Sequence, residues 1–302
     1  MPNLKDIKSR IQSVQNTQKI TRAMKMVAAA KVKKAETLVK ASRPFSTELL
    51  TMFKRMLSTV GELQNDGQTF DRALDNYPEL LSERVVKTVG IVVVTSNKGL
   101  AGAYNANIIR TVLKKIEENS ANGIKTLLYV IGQKGVSALQ HKPEADIRKK
   151  YIAIMDNPSS AGANMIADDL AEDFVNGDID KIEILTTRFN NMMSYAVQDW
   201  NVLPLEIEAE VVGEEPSALM EFTPNAKTIL QKMVPMFITN TIFQALLEAC
   251  ASELASRMTA MSAASNNAEE MIKNLTVSYN KARQGAITQE LIEIVSGASA
   301  QG

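Results

Sequence analysis

One spacing near the C-terminus constrains this chain more than any other feature. Ile229, Met233, Met236, Asn240, Phe243, Leu247, Cys250 and Leu254 follow one another at steps of four and three. Such steps are the signature of a helix that holds a single stripe against a partner. Asn240 is the polar member; a lone Asn on a seam costs stability and sets register. By strict count the next position is Arg257. The apolar series resumes instead at Met258 and Met261, then Ala268, Ile272, Leu275, Tyr279, Ala282 and Ala286. A shift of this kind locally unwinds a supercoil. Roughly seventy helical residues extend on the order of 100 Å. No globular core covers a stripe of that length, so another helix or another protein must. Pro235 predicts a kink, or a separate short helix, at the start of the span.

The N-terminal residues supply a partner. Ile7, Ile11, Val14, Ile20, Met24, Val27, Leu38, Phe45, Leu49, Phe53, Met56 and Val60 mostly recur at three, four or seven. Asn3 is placed to cap this helix, and Pro44 to kink it or end its first part. Between the two helices the period changes. "VVKTVGIVVVTS" (85–96), "KTLLYVIG" (125–132) and "DKIEILTTRF" (180–189) are short β-branched runs. Helical stretches at 104–119, 134–141 and 159–176 separate them, an alternation that predicts a parallel sheet. "RFNNMMSYAVQDWNVLPLEI" (188–207) reads as a closing hairpin that turns at Asn190–Asn191.

The expected fold is α/β with long helices. An antiparallel two-helix coiled coil forms from 1–60 and 225–302, and a Rossmann-like α/β domain occupies 80–212. The C-terminal helix is longer by about a dozen residues, roughly 18 Å, so its tip overshoots its partner.

Residues 92–109, "VVVTSNKGLAGAYNANII", look at first like a phosphate cradle. A P-loop needs a Lys after its last glycine and a hydroxyl for magnesium, yet Ala103 and Tyr104 follow Gly102. A dinucleotide fingerprint needs three glycines, and only Gly99 and Gly102 are present. The same form recurs at Gly132 and Gly135, which suggests a general way of turning from strand to helix; Lys98 is left as a residue able to meet an anion.

With one histidine, His141, most histidine chemistry is absent. One cysteine, Cys250, excludes an internal disulfide and a thiolate metal cage. Asp168, Asp169, Glu172 and Asp173 read as a solvated acidic face without further ligands. The chain has 34 basic and 34 acidic residues, but its first forty residues carry ten Lys/Arg against Asp6 and Glu36. No aromatic residue interleaves with those charges, so nucleic acid is not indicated and an acidic protein partner fits. No apolar run of spanning length is seen, and no cofactor or metal is called for.

The two ends and the loop carry a family resemblance. "DIKSRIQSVQNTQKITRAMKMVAAAKVKKAE" (6–36), "ASRPF" (41–45), "SNKGLAGAYN" (96–105) and "ASELASRMTAMSAASNNAEEMIKNLTVSYNKARQGAITQELIEIVSGA" (251–298) resemble the gamma subunit of F-type ATP synthase. The resemblance implies a non-catalytic rotor shaft inside a ring of alpha and beta subunits. It implies a foot on a membrane c-ring, with epsilon alongside and a proton or sodium ion as the driver. Met24, Arg257, Arg283, Gln284, Thr288 and Glu290 match positions that contact beta, and Arg43, Pro44 and Phe45 lie where c-ring loops are expected. Lys25, Lys31, Lys33 and Lys34 are weaker candidates for the acidic loops of beta, and "IEIVSGASAQG" matches the tail held in an apolar sleeve. The lone Cys250 departs from the regulatory cysteine pair of plant chloroplast members. With no organellar leader ahead of Met1, the expected location is the cytoplasmic face of a bacterial plasma membrane. The alternative is a nucleotide- or small-molecule-binding α/β enzyme with helical extensions.

Overall fold

The computed structural model describes residues 4–65, 84–204 and 226–299. Compactness divides the chain into two units: residues 31–256, and a pairing of residues 1–30 with 257–302. Two helices contribute to both, α1 (Leu4–Asn65) and the last helix, α5 (Ala226–Ser299). Pro44 and Pro235 lie inside them, on exposed positions, and end neither. The expectation of a separate first helix before Pro235 is therefore corrected. On an exposed face, water can serve the carbonyl that proline leaves without its helical donor.

The larger unit is built on a five-stranded sheet. Its strands are β1 (Thr88–Val94), β2 (Lys125–Ile131), β3 (Asp146–Tyr151), β4 (Lys181–Asn191) and β5 (Ser194–Leu203), in the order β3-β2-β1-β4-β5. Four run parallel and β5 returns antiparallel on β4. Helices α2 (Tyr104–Ala121), α3 (Gln133–Leu139) and α4 (Ser160–Val175) make the crossovers. β1 is buried along all but its first residue, as a central strand covered on both faces must be. The β4–β5 turn falls at Met192–Met193, past the predicted Asn190–Asn191. Asn191 instead closes that turn from its flank, its Oδ1 accepting from the Met193 N–H at 2.8 Å.

Each sheet face has its own core. On one, Val89, Ile91 and Val93 meet Tyr104, Ile108 and Val112 of α2. On the other, Val92, Ile182 and Ile184 meet Ile166 and Leu170 of α4, and Ile242, Ala245, Leu246 and Ala249 of α5. α5 is also covered from behind, where Leu247, Ala251 and Leu254 pack with Val32, Ala35 and Val39 of α1. Almost every residue from Ile242 to Ala255 is therefore buried, and the one-sided seam read from the sequence is here a helix enclosed on most sides. Asn240 meets Ser46, Gln244 meets Ser42, and Phe53 stacks on Phe237 with centroids 5.4 Å apart. Rising numbers on α1 meet falling numbers on α5, so the helices run antiparallel.

The seam on α1 differs from the one read from large apolar residues. In the larger unit it runs through Val32, Ala35, Val39, Ser42, Ser46, Leu49 and Phe53, while Leu38 and Phe45 are exposed. The side chains of Met56 and Val60 lie outside the described residues. In the smaller unit Ile7, Thr21 and Ala28 are buried, with Ile11, Val14, Gln18 and Lys25 half-buried between them. Ile20 and Val27 stand 60% and 57% exposed. The α5 part of that unit follows its predicted series: Met261 and Ala268 are buried, and Met258, Ile272, Leu275, Tyr279, Ala282 and Ala286 half-buried. Past Ala286 the helix continues to Ser299 with Ile287, Leu291, Ile292, Ile294 and Val295 all exposed. Within Lys232–Ser296 a window of α5 reaches a mean hydropathy of 1.3, apolar enough to cross a membrane by composition, and 56% of it is buried inside the protein.

Candidate functional site

A phosphate site at the glycine loops would need backbone N–H groups left free to point at an anion. The amides that open α3 are already used. Gln133 N donates to Asn97 Oδ1, Lys134 N to the Ser96 carbonyl and Gly135 N to Thr95 Oγ1. Thr95 Oγ1 in turn donates to the Ile131 carbonyl at 2.7 Å. The exit of β1 therefore caps α3 and fills the space a phosphate would take. Gly132 is required by that closeness: its φ is +93°, and a Cβ there would sit 2.2 Å from the Thr95 carbonyl oxygen.

The first loop is tied differently: α2 starts without a side-chain cap, and the bonds go mainly to the loop's carbonyls. Asn105 Oδ1 accepts from Ser96 N at 3.0 Å, and Ser96 Oγ donates to the Lys98 carbonyl at 2.7 Å. From the other side Ser256 Oγ of α5 donates to the Ala101 carbonyl at 2.7 Å. Both glycine loops are thus joints of the α/β unit, and Lys98 is exposed beside one of them.

The acidic helix face is also structural, and here the expectation of a solvated cluster is corrected. Asp173 is buried, accepting from Tyr129 Oη and from Arg148 Nη2. Burial acts to raise its carboxyl, but the hydrogen bonds from Arg148 and Tyr129 outweigh that and hold it below the usual carboxylate range. Tyr129 moves the opposite way: burial first, then its bond to Asp173, pushes the phenol well up. Asp169 accepts from Lys149 Nζ and Tyr151 Oη. Only Asp168 and Glu172 are solvated. Apart from Tyr129 of β2, the residues that convert the cluster belong to β3, a strand absent from the sequence reading. Among the described residues no group of His, Cys, Asp and Glu has the spacing to hold a metal ion. His141 is exposed beside Gln140.

Another polar centre escaped the sequence reading. Glu248 of α5 is fully buried. Its carboxylate accepts from Arg43 Nε at 2.8 Å and Arg43 Nη2 at 2.9 Å, from the Phe189 N–H at 2.8 Å, and from Gln244 Nε2 at 3.1 Å. Arg188 Nη1 stands 3.4 Å away, and Arg43 Nη2 also donates to the Phe189 carbonyl at 2.6 Å. The bond to Glu248 raises the Arg43 guanidinium above its ordinary value, against the effect of burial. A Glu set within the apolar run "FQALLEACA" was the available signal. Arg43 therefore spends its charge inside the protein, whereas its neighbours Pro44 and Phe45 are exposed.

The remaining candidates lie on the paired helices of the smaller unit. Met24 and Arg257 are half-buried. Arg283, Gln284, Thr288 and Glu290 are all exposed, and Thr288 Oγ1 donates back to the Gln284 carbonyl at 2.9 Å. A seven-residue step puts Arg283 and Glu290 on one face, and a four-residue step puts Gln284 and Thr288 on the next. The two strands of the pair differ in charge. Residues 1–30 carry Lys5, Lys8, Arg10, Lys19, Arg22 and Lys25 against Asp6. Residues 257–302 balance Arg257, Lys273, Lys281 and Arg283 against Glu269, Glu270, Glu290 and Glu293. What remains uncovered is a mixed polar and apolar helical surface.

The fold is that of an α/β unit with long, paired terminal helices. A family model described as ATP synthase matches residues 3–301. ATP synthase gamma chains of Picosynechococcus sp. (strain ATCC 27264 / PCC 7002 / PR-6) and Gloeothece citriformis (strain PCC 7424) are 41% and 40% identical to it, over 99% of this chain and 100% of each relative. Those alignments span 325 positions against 302 residues here, so the relatives carry residues that this chain lacks. A chain of the cryo-EM structure of the Euglena gracilis mitochondrial ATP synthase OSCP/F1/c-ring assembly has the same fold. Its TM-score is 0.66 at 19% identity, over 99% of this chain and 94% of that one. A chain of the Tetrahymena thermophila mitochondrial ATP synthase central stalk/c-ring structure has a TM-score of 0.58 at 24% identity, over 82% and 99%. The chain belongs to the ATP synthase gamma chain family, and it is a non-catalytic subunit.

Proposed function

We propose that this chain turns inside a ring of alpha and beta subunits and carries the rotation of a membrane c-ring, driven by protons or sodium ions, to the catalytic sites on beta. The observation that carries this reading is the end of α5. Beyond Ala286 the helix has outrun its seam, yet Ile287, Leu291, Ile292, Ile294 and Val295 remain exposed to the end of an ordered helix. A run of uncovered apolar residues calls for an apolar sleeve provided by partners.

The physical logic is population shift. A beta conformation is favoured only by as much as the shaft's contacts differ between conformations. A pair with one basic and one neutral strand presents unequal faces to three similar subunits. Met24, Arg257, Arg283, Gln284, Thr288 and Glu290 are the proposed beta contacts, with Lys25 and its basic neighbours facing acidic loops. A methionine suits a sliding contact because it is flexible and uncharged. Pro44 and Phe45 are the proposed c-ring contacts, with Arg43 anchored behind them; epsilon lies alongside. The complex lies on the cytoplasmic face of a bacterial plasma membrane. The bonded amides of the α3 loop weigh against the small-molecule enzyme reading.

The test is reconstitution. The purified chain is combined with candidate alpha and beta subunits, and with c-ring vesicles. ATP hydrolysis by the ring and proton pumping into the vesicles should both require this chain. Equal hydrolysis and pumping without it, or nucleotide turnover by the chain alone, refutes the reading.

A further inference from the structure

The Arg43–Glu248 centre is built for angular register. We infer that it clamps the β4–β5 hairpin to the α1–α5 pair, so that a twist applied to the α/β unit reaches the helices without slip. This rests on the rotor reading above.

Apolar contact between β4 and α5 brings Ile182 and Ile184 into one core with Ile242, Ala245, Leu246 and Ala249, and Phe189 into another with Leu247 and Ala251. Such packing is non-directional and does not by itself fix an angle. Directional bonds between the hairpin and the helices concentrate around Glu248, with one longer contact further along where Tyr195 Oη meets Ser256 Oγ at 3.5 Å. Thr186 Oγ1 donates to the Ala245 carbonyl at 3.1 Å. One turn on, Glu248 takes the Phe189 amide, and Arg43 takes the Phe189 carbonyl while forking onto Glu248. Thus α1, α5 and β4 meet at one carboxylate. Ser42 and Asn240 add bonds between the two helices, to Gln244 and Ser46.

Stability does not account for the arrangement. A buried ion pair is often no better than well-packed apolar residues of the same volume, and its best-attested use is to set register. The planar guanidinium fork gives that register a fixed geometry, which a lysine lacks.

The experiment uses the assembled complex in vesicles, with the chain as wild type, Arg43→Lys, Arg43→Met, and the double variant Arg43→Met/Glu248→Met. Three quantities are read: hydrolysis without a gradient, proton pumping against a high opposing gradient, and the unfolding midpoint. The single Arg43→Met variant leaves a buried carboxylate unpaired and should lower the midpoint. The double variant should restore the midpoint and unloaded hydrolysis, yet lose at least half of the pumping against the gradient. Arg43→Lys should fall between the double variant and wild type. Wild-type pumping by the double variant overturns the clamp. If Arg43→Met and the double variant fail to assemble, Arg43→Lys decides alone, since it keeps the charge and loses the fork; undiminished pumping overturns the proposal. A wild-type chain that supports no coupled pumping sinks the rotor reading itself, and the clamp with it.

Discussion

Replacing glycines one at a time by alanine separates a structural joint from a ligand cradle. At Gly132 the backbone φ is +93°, and the new Cβ would lie 2.2 Å from the Thr95 carbonyl oxygen. A left-handed backbone costs an L-residue about 1–2 kcal/mol. Relief of the overlap must move Thr95, whose hydroxyl holds the Ile131 carbonyl at 2.7 Å and the Gly135 amide at 2.9 Å. Each such bond is worth about 1 kcal/mol, so Gly132→Ala should destabilise the α/β unit by about 3–4 kcal/mol. Gly123 has φ +72° with nothing within 4 Å, so its alanine variant should cost only the backbone part, about 1–2 kcal/mol. Gly99 has ordinary space, its Cβ meeting the Lys134 side chain at 3.5 Å, and should change stability by less than about 0.5 kcal/mol. The chain has one tryptophan, Trp200, half-buried on β5 against the main core, so urea unfolding followed by its fluorescence reports this unit. Gly132→Ala and Gly99→Ala within about 1 kcal/mol of one another would refute the joint and reopen the loops as a binding site.

Further outcomes follow from the same geometry. Met24→Lys should lower the protons pumped per ATP in the reconstituted complex more than it lowers subunit co-purification, because the new charge binds acidic loops of beta; unchanged coupling counts against Met24 as a beta contact. Changing Ile287, Leu291 and Ile294 to serine should leave the chain's own unfolding within about 0.5 kcal/mol per site, since all three are exposed. The same variant should co-purify less with alpha and beta, and equal recovery contradicts the sleeve. Asp173 and Glu183 both have lowered carboxyl values: burial alone would raise them, but Arg148 and Tyr129 lower the first, and Lys115 and Lys181 the second. Their stabilisation is present above the unfolded carboxylate value of about 4 and is lost as pH falls through the lower folded values. Urea midpoints read by Trp200 should therefore drop between about pH 5 and about pH 3, and Asp173→Asn should flatten that drop.

How much of this was legible depends on whether a signal is local. β1 and β2 stand out because central strands covered on both faces read as near-continuous apolar runs, and β4 by its β-branched stretch Ile182–Thr187. β3, with the sequence DIRKKY, is an edge strand with alternate residues in solvent, so its charges hid it. With β3 unseen, its partners Asp169 and Asp173 read as a solvated face. The apolar period of α5 past the stutter was read correctly, because a helix covered along one stripe keeps a 3.5-residue repeat wherever it goes.

By itself, then, the sequence determined the existence of two long helices, an alternating α/β middle, the lack of a P-loop motif after Gly102 and the family resemblance. Each is written in nearest-neighbour spacing or in a contiguous motif. The tertiary structure decided the rest of the inward face of α1. Sequence reasoning named Ile7, Leu49 and Phe53, which are buried, but also Ile20, Val27, Leu38 and Phe45, which are exposed; close approach of α1 to a partner selects Ala28, Val32, Ala35 and Ser42 instead. It also decided that Arg43 belongs to Glu248, two residues 205 positions apart. No periodicity encodes such a pair, because the bond exists only when two helices and a strand have converged on the same buried carboxylate.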